Sequence, residues 1–339
     1  MSTQHPKFEV VDLYTFSESV PPVGNSSIAG WFSDITNSGT VAGRDVVNGR
    51  TVPVLWDPAG QRTILNTDGI DFTGTIQAGV FAQTDTLVAA NLEGKTADGK
   101  RNRLMAVEWT DGVPELLEPV DDNIVISAMN ARGQIAGTVS SHPARWSGSG
   151  PEILAADGAG MRINADGVVA GYTRSPGTLP DRHVVLWQAD GTVTPLAYPD
   201  DLFGQFSAIS NLSVDVRHLA DDQSVLASIA FAAGNTRVYR TVLFKDGATS
   251  YVHGLAGPSA LARVANTAGT MYGTSIDEKM KQLFTIWVDS EAHDMNEVVL
   301  NTTGLVITGF NAINDAGEMA GMAQDKSGTR HGIVLRPIA

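Results

Sequence analysis

The chain has 339 residues, no cysteine, and 37 Asp and Glu against 23 Lys and Arg, for a net charge of −14. Those numbers exclude disulfides, thiolate metal sites and cysteine nucleophiles, and they argue against nucleic acid and anionic membranes, which require a basic face. Hydrophobic residues make up 42%, charged residues 18%, and Gly 35 positions, a balance that suits many short strands and tight turns around a core.

The first residues, Met1 to Lys7, hold no apolar run of the kind that opens a secretory leader. No stretch of about 18 apolar residues occurs anywhere, so a transmembrane helix is not expected. The expectation is a soluble, cytoplasmic protein, or a secreted one if a leader has been removed. Phe8-Glu-Val-Val-Asp-Leu13 then reads as an isolated strand.

From residue 35 onward one phrase recurs: apolar, Asn, two variable residues, Gly, variable, apolar, Ala, Gly. It is plainest at Ile163–Gly171 and Ile313–Gly321, and Met129–Gly137 is a third copy. Ile35–Gly43 and Ala265–Gly273 are worn, and Ala82–Ala90 and Ala220–Ser228 are degraded. The Asn positions read as 36, 83, 130, 164, 221, 266 and 314. Spacings of 47, 47, 34, 57, 45 and 48 fall in the range of propeller blades.

A second phrase follows each first one, an apolar run ending at Trp56, Trp109, Trp146, Trp187, Phe244, Trp287 or, in the last unit, Leu335. Tight turns such as Asp111-Gly112, Asp190-Gly191 and Asp246-Gly247 come next. A further short strand then ends near Leu65, Leu117, Leu154, Leu196 and Leu255. Each unit therefore reads as four antiparallel strands. The first precedes the Asn, the second carries Ala-Gly, the third ends in the aromatic and the fourth ends at the Leu. A lone four-stranded sheet cannot bury both faces, whereas sheets packed radially can. The seventh unit lacks a fourth strand, and residues 8–13 supply one beside residues 331–337. The expected fold is all-β: a seven-bladed β-propeller forming one domain over residues 1–339, closed by the N-terminal strand.

These phrases resemble the HAF-repeat family of bacterial propeller-like proteins, named for a His-Ala-Phe run before the third-strand Trp. His142, His183 and His331 lie four residues before the aromatic position, and Asp294-Met-Asn296 followed by Ile313–Gly317 matches another family phrase. Val10-Val-Asp-Leu13 is similar too. Ala-Phe is not kept after any of the three His. The resemblance spans essentially the whole chain and implies a propeller fold, but no catalytic residues. Many members are extracellular.

Residues that recur at one repeat position are expected to be structural, which applies to the three His and to the Trp series. Chemically costly residues off the pattern are the functional candidates. Trp31, in the first inner strand, either stacks on a ligand or plugs the channel. Asp34, Arg162, Arg217, His218, Arg263 and Asn311 lie just before the Asn phrases, on strands expected to line the channel. Arg is costly to bury unpaired, so the three Arg read either as an anion pocket with His218 as acid/base or as ion-paired channel filler. The fourth-to-first loops carry acids: Asp68, Asp71, Asp121, Asp122, Asp200 and Asp201. The longest, Ala197–Leu219, adds Tyr198, Phe203 and Phe206 as a ligand-facing aromatic rim.

No HExxH, GxSxG, P-loop or dinucleotide motif is present, so neither cofactor nor metal is implied. Two functional classes follow. The first is a binding module for a small molecule, glycan or protein on the loop-rich face and channel mouth. The second is a cofactor-free lyase, cyclase, isomerase or hydrolase acting on an anionic small molecule, with His218 as base.

Overall fold

The computed structural model describes residues 6–16, 31–95, 102–117, 123–148, 150–175, 177, 180–204, 209–255, 257, 259–276, 279 and 281–338. Seven antiparallel sheets follow one another along the chain as the blades of a seven-bladed β-propeller, as the repeat predicts. Blade 1 runs through Trp31–Ile35, Val41–Val47, Arg50–Trp56 and Arg62–Ile64, and each later blade repeats this order. Blades 2 to 6 open on Phe72–Ala82, Ile124–Met129, Gly158–Ile163, Ser210–Leu219 and Ala260–Ala265. In blade 7 the strands Val306–Ile313, Met319–Gln324 and Arg330–Ile338 are completed by Lys7–Thr15 from the N-terminus.

The chain divides into two compact units, Met1–Gly133 with Val298–Ala339, and Gln134–Glu297. The first holds blades 7, 1 and 2 and the first strand of blade 3. The second holds the rest of blade 3 and blades 4, 5 and 6.

In the first unit, the N-terminal strand pairs antiparallel with the third strand of blade 7, from Lys7 opposite Ile338 to Thr15 opposite His331. Its outer edge meets Val299–Leu300 in parallel. Closure is reinforced by side chains. Phe16, Phe32 and Trp56 are buried together, with the Phe32 and Trp56 ring centroids 4.8 Å apart. The Tyr14 hydroxyl donates to buried Asp45 at 3.0 Å, and Arg62 completes the group with an ion pair to Asp45 at 2.5 Å.

The repeat phrases have identifiable physical causes. The first strands of blades 1, 4, 5, 6 and 7 all carry a β-bulge three residues before the Asn position, at Ser33, Met161, Arg217, Arg263 and Asn311. The bulged strand presses a main-chain carbonyl onto the Ala-Gly of the second strand. A Cβ at Gly43, Gly171, Gly273 or Gly321 would collide with the carbonyl oxygen of Trp31, Ala159, Leu261 or Gly309 respectively. Glycine is therefore required there by close backbone approach.

The Asn is buried at the first turn. Asn164 accepts the amides of Asp166 and Val168 at 3.1 and 2.9 Å, and its side-chain amide donates to the Ala220 carbonyl of blade 5. In the first unit Asn314 accepts from Glu318 N–H at 2.9 Å and donates to the Thr36 carbonyl of blade 1 at 3.0 Å.

That geometry corrects the repeat register in blade 5. Ala220, not Asp221, occupies the Asn position, because Ala220 and Gln223 make the turn bonds that Asn164 and Gly167 make in blade 4. Gln223 takes the positive φ of the missing Gly, at 64°. The fourth strand of this blade ends at Val252 rather than near Leu255.

The third-strand Trp side chains are all buried. Trp109 donates to the Asn66 carbonyl of the preceding blade at 2.6 Å, and Trp287 donates to His253 at 2.7 Å. They hold neighbouring blades together.

Two outcomes test this account. Deleting residues 1–13 removes most of the fourth strand of blade 7 and should lower the thermal midpoint by many degrees; an unchanged midpoint contradicts closure. Gly171→Ala should cost about 1–3 kcal/mol in denaturant unfolding, while Gly150→Ala, where nothing lies within 4 Å of the added carbon, should be near neutral.

Candidate functional site

Charge on the first strands is sparse and segregated. Blades 2, 3 and 7 carry none there, and blade 1 carries only Asp34. Blades 4, 5 and 6 carry Arg162, Asp215, Arg217 and Arg263, with His218 beside them. Three Arg less one Asp leave +2 on the first strands of three consecutive blades, in a chain whose total is −14.

Arg217 and Arg263 are both bulge residues, a position that turns the side chain out of the regular alternation. The Arg217 guanidinium pairs with Asp215 at 2.5 Å, and its Nε is buried with no hydrogen-bond partner. Burial above all, with the Arg263 charge adding to it against the opposing pull of Asp215, pushes Arg217 below the usual arginine range. Arg263 is exposed and has no hydrogen bond or ion pair among the described residues. Arg162 leans toward the same strand: its Nε donates to the Arg217 carbonyl at 2.9 Å and one terminal nitrogen to Met161 at 2.7 Å. The structure thus brings Arg162, Arg217 and Arg263 onto neighbouring strands with one carboxylate among them. Part of Arg162 is structural, whereas Arg263 is left to solvent. His218 is half-buried on the strand that carries Arg217.

The candidates of the first unit are differently occupied. The Asp34 carboxylate accepts the amides of Ile35 and, from blade 2, Ala82, at 2.9 and 3.0 Å. Asn311 donates to the Phe32 carbonyl of blade 1 at 3.0 Å. Trp31 packs against the core cluster around Phe32 and Trp56, opposite Arg44 on the neighbouring strand. These three side chains join or fill blades.

The long loop expected at 197–219 is shorter. Asp201–Gly204 is a helical turn, and Ser210–Leu219 is the first strand of blade 5. Alternation of buried Leu212, Val214 and Val216 with the polar Ser213, Asp215 and Arg217 marks that strand in the sequence. The expected aromatic rim turns inward instead. Tyr198 donates to the Arg182 carbonyl at 2.9 Å, and the Phe203 ring lies 5.3 Å from both Tyr198 and Phe231. Burial raises the Tyr198 phenol well above its ordinary value. Phe206, Asp121 and Asp122 lie outside the described residues. Of the recurrent histidines, His142 donates to the Ala156 carbonyl at 2.6 Å, and His331 sits 3.0 Å from Asp12 of the closing strand.

A further blade-joining position escaped the sequence reading. The residue after the Ala-Gly pair faces the next first strand. Buried Asn91 exchanges two 3.0 Å hydrogen bonds with the backbone of Ile126, and Ser228, by the register of blade 5, donates to Ala262 at 2.7 Å. Its polarity beside an apolar phrase was the available signal. Among the described residues no group of three or more His, Asp or Glu is placed to hold a metal. Among the described residues no helix is long and apolar enough to cross a membrane.

No family model matches the chain, and no curated protein matches it. Solved structures do. The acylaminoacyl peptidase of Pyrococcus horikoshii is similar over 77% of this chain and 45% of its own, with a TM-score of 0.52 and 14% identity. A puromycin hydrolase variant complexed with PGG is similar over 92% of this chain and 54% of its own, at 0.51 and 12%. The chain therefore spans about half the length of these two proteins. The β-propeller domain of the trilobed protease from Pyrococcus furiosus, described as having an open velcro topology, is similar over 77% of this chain and 82% of its own, at 0.51 and 12%. These likenesses establish the propeller fold.

Phe203→Ala tests the inward placement of the aromatics. It should cost about 2–4 kcal/mol of stability; a variant as stable as the parent would return Phe203 to the exposed rim.

Proposed function

We propose that the protein is a binding module, a divergent HAF-repeat propeller that holds a small anionic molecule at the first strands of blades 4 to 6. The observation that carries this reading is the pair Arg217 and Arg263. One guanidinium is largely desolvated and matched by a single carboxylate, and its positive neighbour is exposed and unmatched among the described residues. An arrangement of like charges costs stability unless an anion relieves it. Guanidinium groups suit carboxylate and phosphate oxygens because their donors form a rigid fork. A local excess of positive charge in an acidic protein also concentrates anions at that place rather than over the whole surface. Catalysis with His218 as base is the second reading, and turnover of a bound anion would favour it.

Isothermal titration calorimetry at low salt tests the proposal with phenyl phosphate, phenyl sulfate, benzoate and uncharged benzamide as probes. At least one anion should bind, benzamide should not, and Arg263→Met should weaken the anion about tenfold or more at an unchanged thermal midpoint. Arg263→Met is chosen because no hydrogen bond or ion pair of the fold is lost with it among the described residues. Binding of no anion, or binding indifferent to Arg263→Met, overturns the reading.

A further inference from the structure

We infer that blade 2 carries an acid-responsive latch: its fourth strand docks more firmly as Glu108 takes up a proton opposite Glu115. The device lies within the first unit and needs no bound anion.

Glu108 is the residue before the third-strand Trp109, and the ladder sets it directly opposite Glu115 on the fourth strand. Directly opposed side chains leave a sheet on the same face, about 5 Å apart at Cβ, and like charges so placed destabilise the strand pair. The other six blades choose differently. Leu55, Leu186, Leu243, Ile286 and Val334 occupy the position in blades 1, 4, 5, 6 and 7. Blade 3 has buried Arg145 there, opposite Glu152 and ion-paired with it at 2.5 Å. Arg145 also donates to the Gly167 carbonyl in the first turn of blade 4 at 2.8 Å. Glu108 faces the matching turn glycine of blade 3: a Cβ on Gly133 would lie 3.5 Å from its Oε1. A carboxylate thus stands where the neighbouring blade places a cation, and its ladder partner is a second carboxylate. A proton on one of them removes the repulsion.

Glu108 is half-buried, with buried Ala89 on its other flank, and Glu115 is exposed. Glu108 has no hydrogen bond or ion pair among the described residues. The described charged side chains on the elements around it are Glu115, Asp111 in the third turn, Asp85 in the first turn of its own blade and Arg132 in the first turn of blade 3. Burial first, and then the Glu115 charge, lift Glu108 above the ordinary carboxylate range. The folded blade therefore holds more proton than the unfolded chain, and the stability it draws from Glu108 rises as pH falls. The penalty is full above the folded value and gone below the ordinary 4.5. The fourth strand, Val113–Leu116, is the part able to respond. It is four residues long, stands at the edge of its sheet, and leaves Val113 exposed. Segments with few buried contacts open at far less cost than the whole fold.

Carboxyl-carbon NMR titration and amide hydrogen exchange, corrected for intrinsic rate, test the latch in the parent chain, Glu115→Gln and Glu108→Arg. In the parent, Glu108 should titrate above 4.5. Opening of the Val113–Leu116 amides should fall about threefold or more between neutral pH and that value. In Glu115→Gln the Glu108 titration should move down and the pH dependence of opening should weaken. Glu108→Arg copies the Arg–Glu pair of blade 3 and should keep opening low throughout. Glu115 is exposed, so Glu115→Gln gives a reading even where Glu108→Arg fails to fold. Titration of Glu108 at or below 4.5 in the parent overturns the inference, as does opening with the same pH dependence in the parent and Glu115→Gln.

Discussion

A carboxamide buried at the first turn of a blade satisfies two demands at once. Its oxygen takes the amides of its own tight turn, and its nitrogen reaches the carbonyl at the matching position of the next blade. Asn164 does this toward Ala220, and Asn314 does it toward Thr36. Both demands follow from the cost of leaving a backbone group unpaired away from water. Four-stranded sheets of this size bury little alone, so what makes them a domain is contact between sheets. Apolar packing supplies most of that contact, and the carboxamide sets its register.

Other repeat positions act on the same joint. The bulge brings a carbonyl against the Ala-Gly pair, which forces glycine and draws the first two strands together. Trp109 and Trp287 fill the space behind and donate to the preceding blade. Asn91 and Ser228 donate forward to the next. Seen from the joint, polar side chains on the first strands are mostly structural. Asp34 and Asn311 are explained entirely in this way, and Arg162 in part.

That background makes Arg217 and Arg263 stand out. They occupy the bulge position, where Asn311 in blade 7 reaches the neighbouring backbone and Met161 in blade 4 receives an amide from Val216. Two adjacent blades instead place guanidinium groups there, close enough for one to depress the proton affinity of the other. That like-charge pair, at a position that elsewhere stitches blades together, is the feature on which the proposed anion binding rests.

Much of the architecture was written in the order of residues. Seven repeats, four strands in each, the third-strand aromatic and the closing role of residues 8–13 all follow from short-range patterns, because β-alternation and tight turns are local. Repetition multiplies weak local signals into a strong one. The one-residue slip in blade 5 shows the limit: without Asn and Gly, Asp221 read as well as Ala220, and only the hydrogen bonds of the turn chose between them. The candidate site was legible as a list of costly residues but not as a site. Asp34, Arg162, Arg217 and Asn311 look alike in sequence. Asp34, Arg162 and Asn311 bind backbone groups 48, 55 and 279 residues away, Arg217 pairs with Asp215 on its own strand, and Arg263 is left to water. Tyr198 and Phe203 likewise look like a rim until Phe231 and Phe244 are brought beside them. Local pattern determines the strands, and the packing of one blade on the next decides which side chains remain free to act.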